Sequence, residues 1–156
     1  MKKTSIITLQ FIVLISITII QSCAKASTKV VVSSSNSKRS HNLGKNCMSC
    51  HTNGTEAGNE GGVFHIAGSV YDSTFSNANP NSTIYMYTGP GGTGTLKYTI
   101  PVDQKGNFYA TGGVDFSAAL YPVVQGLTST YHMSSPTTSG ACNSCHNVTT
   151  EKIWAN

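Results

Sequence analysis

Four of the five cysteines in this 156-residue chain lie in two copies of one five-residue pattern. Residues 47–51 are CMSCH and residues 142–146 are CNSCH, so each copy has two thiols separated by two residues and a histidine directly after them. This spacing is typical of c-type haem attachment, in which both thiols add to the vinyl groups of one haem and the histidine ligates its iron. The haem hypothesis assigns thioether bonds to Cys47, Cys50, Cys142 and Cys145, and proximal iron bonds to His51 and His146.

Three other chemistries also use paired cysteines. Two CxxC pairs can bind one zinc ion through four thiolates, but such a site leaves both histidines without a role. Two disulfides suit an oxidising compartment, although a bridge within CxxC closes a very short loop and constrains the chain little. Thioredoxin-like redox chemistry needs a βαβ context, which the sequence lacks. The repeated histidine, and the serine that precedes the second cysteine in both copies, favour two haems.

The first 22 residues have the pattern of a lipoprotein signal peptide. Lys2 and Lys3 precede an apolar run from Ile6 to Ile20, which is too short for a confident membrane-spanning helix. Cys23 follows shortly after and resembles the cysteine that bacterial lipoproteins acylate after cleavage. The alternative is a secreted protein in which Cys23 is an unused thiol. Export agrees with the haem hypothesis, because c-type haem is attached outside the cytoplasm.

Composition divides the remainder into four segments. Residues 23–40 are rich in Ser and Lys and predict a flexible, lipid-anchored tether; the alternative is that Val30 to Val32 form an edge strand. Residues 41–62 are dense in Gly and Asn and predict a first haem-binding segment, with a short helical turn at its motif. Residues 63–126 predict a β-domain, and residues 127–156 predict a second, loop-like haem-binding segment. The formal net charge of +4 is too small to favour a nucleic-acid partner.

Short runs rich in β-branched and aromatic residues, separated by Gly, Pro, Asn and Asp, predict a mainly β fold with a small β-sandwich. Alternation along the first run places Phe64, Ile66 and Val70 on one face and His65 on the other, solvent-facing side. In the second run Met86 is expected inside the domain. The predicted strands are residues 63–71, 82–88, 95–101, 106–111 and 120–126.

This middle region resembles the carboxypeptidase-regulatory-like and transthyretin-like β-domains of bacterial surface proteins. The resemblance depends on AGSVYD (residues 67–72) and on DQKGNFYAT (residues 103–111), which is similar to their Asp-x-x-Gly-x-Phe hairpin. It implies an Ig-like or transthyretin-like sandwich. Because such modules are usually spacers, the resemblance supplies a fold and no chemistry.

The two motifs resemble those of small multihaem c-type cytochromes, over residues 41–51 and 132–146. In that family a histidine placed like His41, six residues before Cys47, often serves as a distal ligand. His132 and Met133 are adjacent, so in an extended chain only one of them can face the iron. We favour Met133 and keep His132 as the alternative. Met48 lies inside the attachment turn and is expected to be a packing residue.

Together these features predict a lipid-anchored dihaem c-type cytochrome of the bacterial envelope, on the periplasmic face of the outer membrane. It would exchange electrons with redox partner proteins and would have no small-molecule substrate and no enzymatic activity. Two alternatives remain open. One is a haem peroxidase or gas sensor with a five-coordinate haem, and the other is a zinc-clasped β module without haem.

The assignment of His41 predicts the effect of its removal. The substitution His41→Ala should shift the visible spectrum of one haem toward high spin, because that iron loses its sixth ligand. Absorption spectra of the oxidised wild-type and variant proteins provide the measurement. An unchanged spectrum would remove His41 from the set of iron ligands.

Overall fold

A computed structural model describes residues 30–156. The predicted signal peptide, residues 1–22, and the predicted lipid-bearing Cys23 lie outside the described range. So do residues 24–29 of the predicted tether.

Within residues 30–156, eight strands form two four-stranded sheets, which confirms the prediction of a small, mainly β sandwich. The strands are β1 (Val31–Val32), β2 (Phe64–Tyr71), β3 (Thr83–Tyr87), β4 (Leu96–Pro101), β5 (Asn107–Thr111), β6 (Tyr121–Gln125), β7 (Thr130–His132) and β8 (Ile153–Trp154). Their order is β1-β5-β2-β8 in the first sheet and β4-β3-β6-β7 in the second. The pairs are antiparallel except β2 with β8. The helical elements are α1 (Glu56–Gly61) and the 3₁₀ turns Cys47–Ser49, Pro90–Gly92 and Cys142–Ser144.

The hydrophobic core lies between the two sheets. Ile66, Val70 and Phe108 come from the first sheet, and Ile84 and Met86 come from the second. None of these five side chains is more than 3% exposed. The predicted strands match β2 to β6 to within one residue at each end, because the alternation of apolar residues marks which face each strand buries.

The predicted orientation of Phe64 is wrong. The register of β2 against β5 shifts between Phe64 and Ile66, and such a bulge changes the face on which the following or preceding side chain lies. Phe64 therefore lies on the outer face of the first sheet, which points away from the core. There it stacks on Tyr109 with a centroid separation of 4.7 Å. His65 is exposed, as predicted.

Part of the predicted tether belongs to the folded domain. Val31 and Val32 pair with Thr111 and Ala110 at the edge of the first sheet. Ser33 is buried and donates a hydrogen bond of 2.6 Å to the carbonyl of Pro101. The prediction of a flexible segment is therefore wrong for residues 31–33, and the alternative of an edge strand is confirmed at Val31 and Val32.

Three short elements lie in segments that were expected to be loops. They are α1, β7 and β8, of which β8 extends the first sheet beside β2. Trp154 packs against Tyr131 and Phe75, with centroid separations of 4.2 and 5.7 Å. In the described part of the chain, no helix has the length and apolar character needed to cross a membrane.

The position of Phe108 in the core predicts a large loss of stability on truncation. Phe108→Ala should lower the free energy of unfolding by about 3–5 kcal/mol, because it removes a fully buried ring. Urea denaturation measures the loss. As a control, Leu127→Ala, at a residue that is 76% exposed, should change it by less than about 0.5 kcal/mol. Equal effects of the two substitutions would contradict this view of the core.

Candidate functional site

Both five-residue motifs fold into the same 3₁₀ turn. The backbone N–H of His51 donates to the carbonyl of Cys47 at 2.9 Å, and that of His146 donates to Cys142 at 3.0 Å. The two turns end in similar backbone conformations, with φ and ψ of −107° and −39° at Cys50 and of −111° and −52° at the second cysteine of the other motif. The identical spacing in the sequence therefore produces the same local geometry at two separate places.

The shared serine stabilises each turn. The hydroxyl of Ser49 donates to the carbonyl of Asn46 at 2.7 Å, and the hydroxyl of Ser144 donates to Ala141 at 2.6 Å. Each of these carbonyls also accepts from the backbone N–H of the same serine, at 3.1 and 3.0 Å, so the hydroxyl adds a second hydrogen bond to the turn. The repetition of serine in both motifs thus has a structural cause.

In both motifs the histidine ring is held by a backbone carbonyl. Nδ1 of His146 lies 2.7 Å from the carbonyl oxygen of Glu151, and Nδ1 of His51 lies 3.3 Å from that of Gly62. A carbonyl only accepts hydrogen bonds, so Nδ1 must carry the proton in each ring. The lone pair is then on Nε2, which is the nitrogen left to ligate a metal.

Local structure places the carbonyls of Gly62 and Glu151 next to the rings of His51 and His146. After the first motif, Thr55 caps α1 by accepting a 3.0 Å hydrogen bond from Gly58, and α1 returns the chain to Gly62. Gly61 has no side chain, and a Cβ there would lie only 2.8 Å from the ring of His51. After the second motif, residues 147–151 form a turn in which the N–H of Thr150 donates to the carbonyl of Cys145 at 3.0 Å.

The first motif lies on the outer face of the first sheet. His51 stacks on Phe64 at a centroid separation of 4.0 Å, and Phe64 stacks in turn on Tyr109. The ring of His41 lies 6.1 Å from that of His51, centroid to centroid. Two imidazoles on one metal, each with a bond of about 2 Å, have centroids about 6 Å apart. The structure thus brings together the proximal and distal residues predicted for this site.

The second motif borders a large cavity between the sheets. Its volume is about 440 Å³, within the range of about 300–1,000 Å³ that is usual for cofactor and ligand sites. Apolar residues of both sheets line its inner part, among them Ile66, Met86 and Phe108. The residues of the second motif that line it are Cys142, Cys145 and His146.

Both distal candidates for the second site line this cavity. His132 pairs with Val123 and its ring lies beside the turn at residues 90–92, where a Cβ at Gly92 would be 3.5 Å from its Nε2, while Met133 follows the end of β7. His132 is exposed, whereas Met133 is partly buried. The geometry therefore retains both residues as candidates.

The motif thiols differ in their environments. Cys50 and Cys145 are exposed, whereas Cys47 and Cys142 are partly buried. Burial raises the pKa of the Cys142 thiol to about 12, and the nearby Cys47 and Cys145 contribute in the same direction. Burial also raises the pKa of Cys47. The two motifs approach each other where the amide nitrogen of Asn143 donates to the carbonyl of Lys45 at 2.9 Å, although 94 residues separate Cys47 and Cys142 in the sequence.

The four motif thiols are free in the structure and form no disulfide. Within residues 30–156, no three Cys, His, Asp or Glu side chains are grouped as ligands for one metal ion. Four thiolates that meet at one point, as the zinc alternative requires, are not found in this part of the chain.

The second motif is attached to the edge of β2 opposite β5, before the residues that pair with β8. The N–H of Ala67 donates to the carbonyl of Gly140 at 2.9 Å, and Ala67 forms a parallel bridge with Ala141. Gly68 permits this contact, since a Cβ at that position would overlap the ring of Phe108 and lie 3.0 Å from Cys142 Cβ. These contacts fix the start of the motif on the sheet.

The groups that hold the predicted ligands are not apparent in the sequence. Two of them are the backbone carbonyls of Gly62 and Glu151, which leave no mark in a sequence. The others are the side chains of Ser69, Asn107 and Asn143, which form a buried polar cluster between the two motifs. One indication of the cluster is present in the sequence. The residue after the first cysteine is apolar Met48 in the first motif and polar Asn143 in the second.

Comparison of the chain with protein-family models, with characterised proteins and with solved structures finds no match.

The raised pKa of the Cys142 thiol predicts that this cysteine is labelled slowly in the folded chain made without attached haem. At pH 8 iodoacetamide should modify Cys142 at least about 100-fold more slowly than in the urea-unfolded chain, because burial disfavours its thiolate. Since this pKa is raised, the rate should climb about tenfold per pH unit toward pH 12. Peptide mapping by mass spectrometry gives the rate at each cysteine. Equal rates in the folded and unfolded chains would show that Cys142 is not buried.

Proposed function

We propose that this chain is a dihaem c-type cytochrome that transfers electrons at the bacterial cell envelope. One observation carries the proposal. Both CxxCH motifs form the same turn, and in both the histidine Nδ1 is bonded to a backbone carbonyl, which leaves Nε2 for iron. Ligating histidines in metal sites are oriented in this way, and two such arrangements in one chain indicate two sites.

Four thiols and two imidazoles would hold the haems. Each thiol adds across one vinyl group: a carbon–sulfur bond forms, and the thiol hydrogen goes to the other vinyl carbon, without any change in oxidation state. In the first site these residues are Cys47, Cys50 and His51. In the second site they are Cys142, Cys145 and His146. Haem iron, once bound, supplies reversible one-electron chemistry.

The surroundings of the two motifs fit a large, flat, apolar group. The cavity beside the second motif is bounded by Ile66, Met86 and Phe108, which would exclude water from one face. The exposed second cysteine of each motif is accessible for attachment. At the first motif, the ring of Phe64 stacks on one face of the His51 ring and restricts the rotation of that ring.

The residues available as sixth ligands favour electron transfer over catalysis. The ring of His41 lies 6.1 Å from that of His51, which supports His41 as the sixth ligand in the first site, while His132 and Met133 line the cavity at the second. An iron with six ligands has no position for a substrate, and the protein would then only accept and release electrons. The proposed partners are redox proteins of the envelope. The proposed attachment is a lipid on Cys23, at the periplasmic face of the outer membrane.

The mass of the matured protein tests this proposal. Protein made with a cytochrome c maturation system should exceed its polypeptide and lipid mass by two haems, and its pyridine haemochrome should also give two haems per chain. The variant Cys142→Ala/Cys145→Ala should retain one haem and serves as the matched control. A matured protein that carries no haem would refute the proposal.

Carbon monoxide distinguishes electron transfer from the peroxidase or sensor alternative. Because both irons are proposed to have six ligands, the reduced protein at neutral pH should bind no carbon monoxide rapidly in stoichiometric amount. Rapid binding of one equivalent would instead support a five-coordinate haem and therefore the alternative function.

A further inference from the structure

Asn143, the first variable residue of the second motif, forms a buried pair with Ser69 of β2. Their exposed fractions are 4% and 1%. The side-chain oxygen of Asn143 accepts from the Ser69 N–H at 3.2 Å, and its amide nitrogen donates to the Ser69 hydroxyl at 3.0 Å. Ser69 lies on the outer face of β2, opposite to Val70 and the core. The second motif therefore places one side chain on the face that carries the first motif.

The same pair holds the approach to the first motif. The amide nitrogen of Asn143 also donates to the carbonyl of Lys45 at 2.9 Å, and Lys45 lies two residues before Cys47. The N–H of Gly44 donates to the Ser69 hydroxyl at 2.8 Å. Segment 44–45 is thus fixed by groups that belong to β2 and to the other motif.

Asn107 extends the cluster to His41. Its side-chain oxygen accepts from the Ser69 hydroxyl at 2.6 Å. Its amide nitrogen donates to the hydroxyl of Ser40 at 3.0 Å and to the carbonyl of His41 at 3.1 Å. The backbone of the predicted distal ligand is therefore bonded to the same cluster.

The cluster is completely satisfied. Both amide N–H groups of each asparagine are donated and each side-chain oxygen accepts, while the Ser69 hydroxyl donates once and accepts twice. Buried polar groups that all have partners fix one arrangement, whereas the loss of one partner leaves others unpaired at a cost. The three buried side chains of Ser69, Asn107 and Asn143 thus hold residues 40–45 in place.

We propose that Asn143 is a positioning residue for the first haem site, acting through Ser69 and Asn107 to hold segment 40–45 and with it the distal ligand His41. This inference rests on the proposed function. It means that the second attachment turn sets the ligand geometry of the first site, so that the two haems have one fixed mutual arrangement. Asn143 then fixes the ligand geometry of the first haem as well as the turn of the second motif.

The test uses the variant that carries only the first haem, Cys142→Ala/Cys145→Ala, as parent. Its reduced haem is mixed with carbon monoxide, which binds only when His41 leaves the iron. Asn143→Leu, a substitution of similar size, should increase the binding rate about 10- to 100-fold and raise the high-spin fraction of the oxidised protein. Asn81→Leu is the matched control at an exposed asparagine in the loop before β3, and it should leave both values unchanged.

A second pair of variants keeps the test decisive if Asn143→Leu fails to mature. Ser69→Ala removes the hydroxyl at the centre of the cluster and should also accelerate carbon monoxide binding. Ser69→Thr retains the hydroxyl and should restore the parent rate, which a general loss of packing would not allow. Parent-like rates in Asn143→Leu and Ser69→Ala would overturn this inference, as would rapid binding in the parent itself. A parent without haem would overturn the proposed function instead.

Discussion

Strand β2 has neighbours on both faces and both edges, and this constraint organises the molecule. Its inner face contributes Ile66 and Val70 to the core. One edge pairs with β5, and the other pairs with β8 and with Ala141 at the start of the second motif. Its outer face receives the first motif, through the polar side chain of Ser69. No residue of β2 from Ile66 onward is exposed, so both motifs are positioned by a strand that cannot move independently of the core.

The attachment to one strand explains why motifs so far apart in the sequence become neighbours. The hydrogen bonds of Asn143 to Ser69 and to Lys45 join residues 74 and 98 positions apart. A chain that orders such distant segments loses conformational entropy, which buried and paired contacts must offset. Those contacts are backbone pairing at Ala67 and the fully bonded polar cluster beside it. The intervening β-domain is therefore the scaffold that positions both motifs.

The features that could be predicted from the sequence are those with a local cause. Alternating apolar residues located β2 to β6, and the spacing of CxxCH located both turns. The reversed orientation of Phe64 depends on a bulge, and a bulge is set by pairing with β5. The positions of β1 and β8 likewise depend on partners elsewhere in the chain. In the candidate sites the proposed ligands follow from residue type and spacing, whereas the carbonyls of Gly62 and Glu151 could not be predicted, since every residue has a carbonyl.

The two candidate sites have different surroundings. In the proposed function this difference sets the direction of electron transfer between them. His51 lies on the outer face of the sheet, with the exposed His41 beside it. His146 borders a cavity lined by core residues such as Met86. An apolar environment disfavours the more highly charged ferric state, and a methionine ligand such as Met133 acts in the same sense. If both haems are bound as proposed, both effects would raise the reduction potential of the second site relative to the first. Because electrons move toward the higher potential, transfer would then run from the site on the outer face to the site between the sheets.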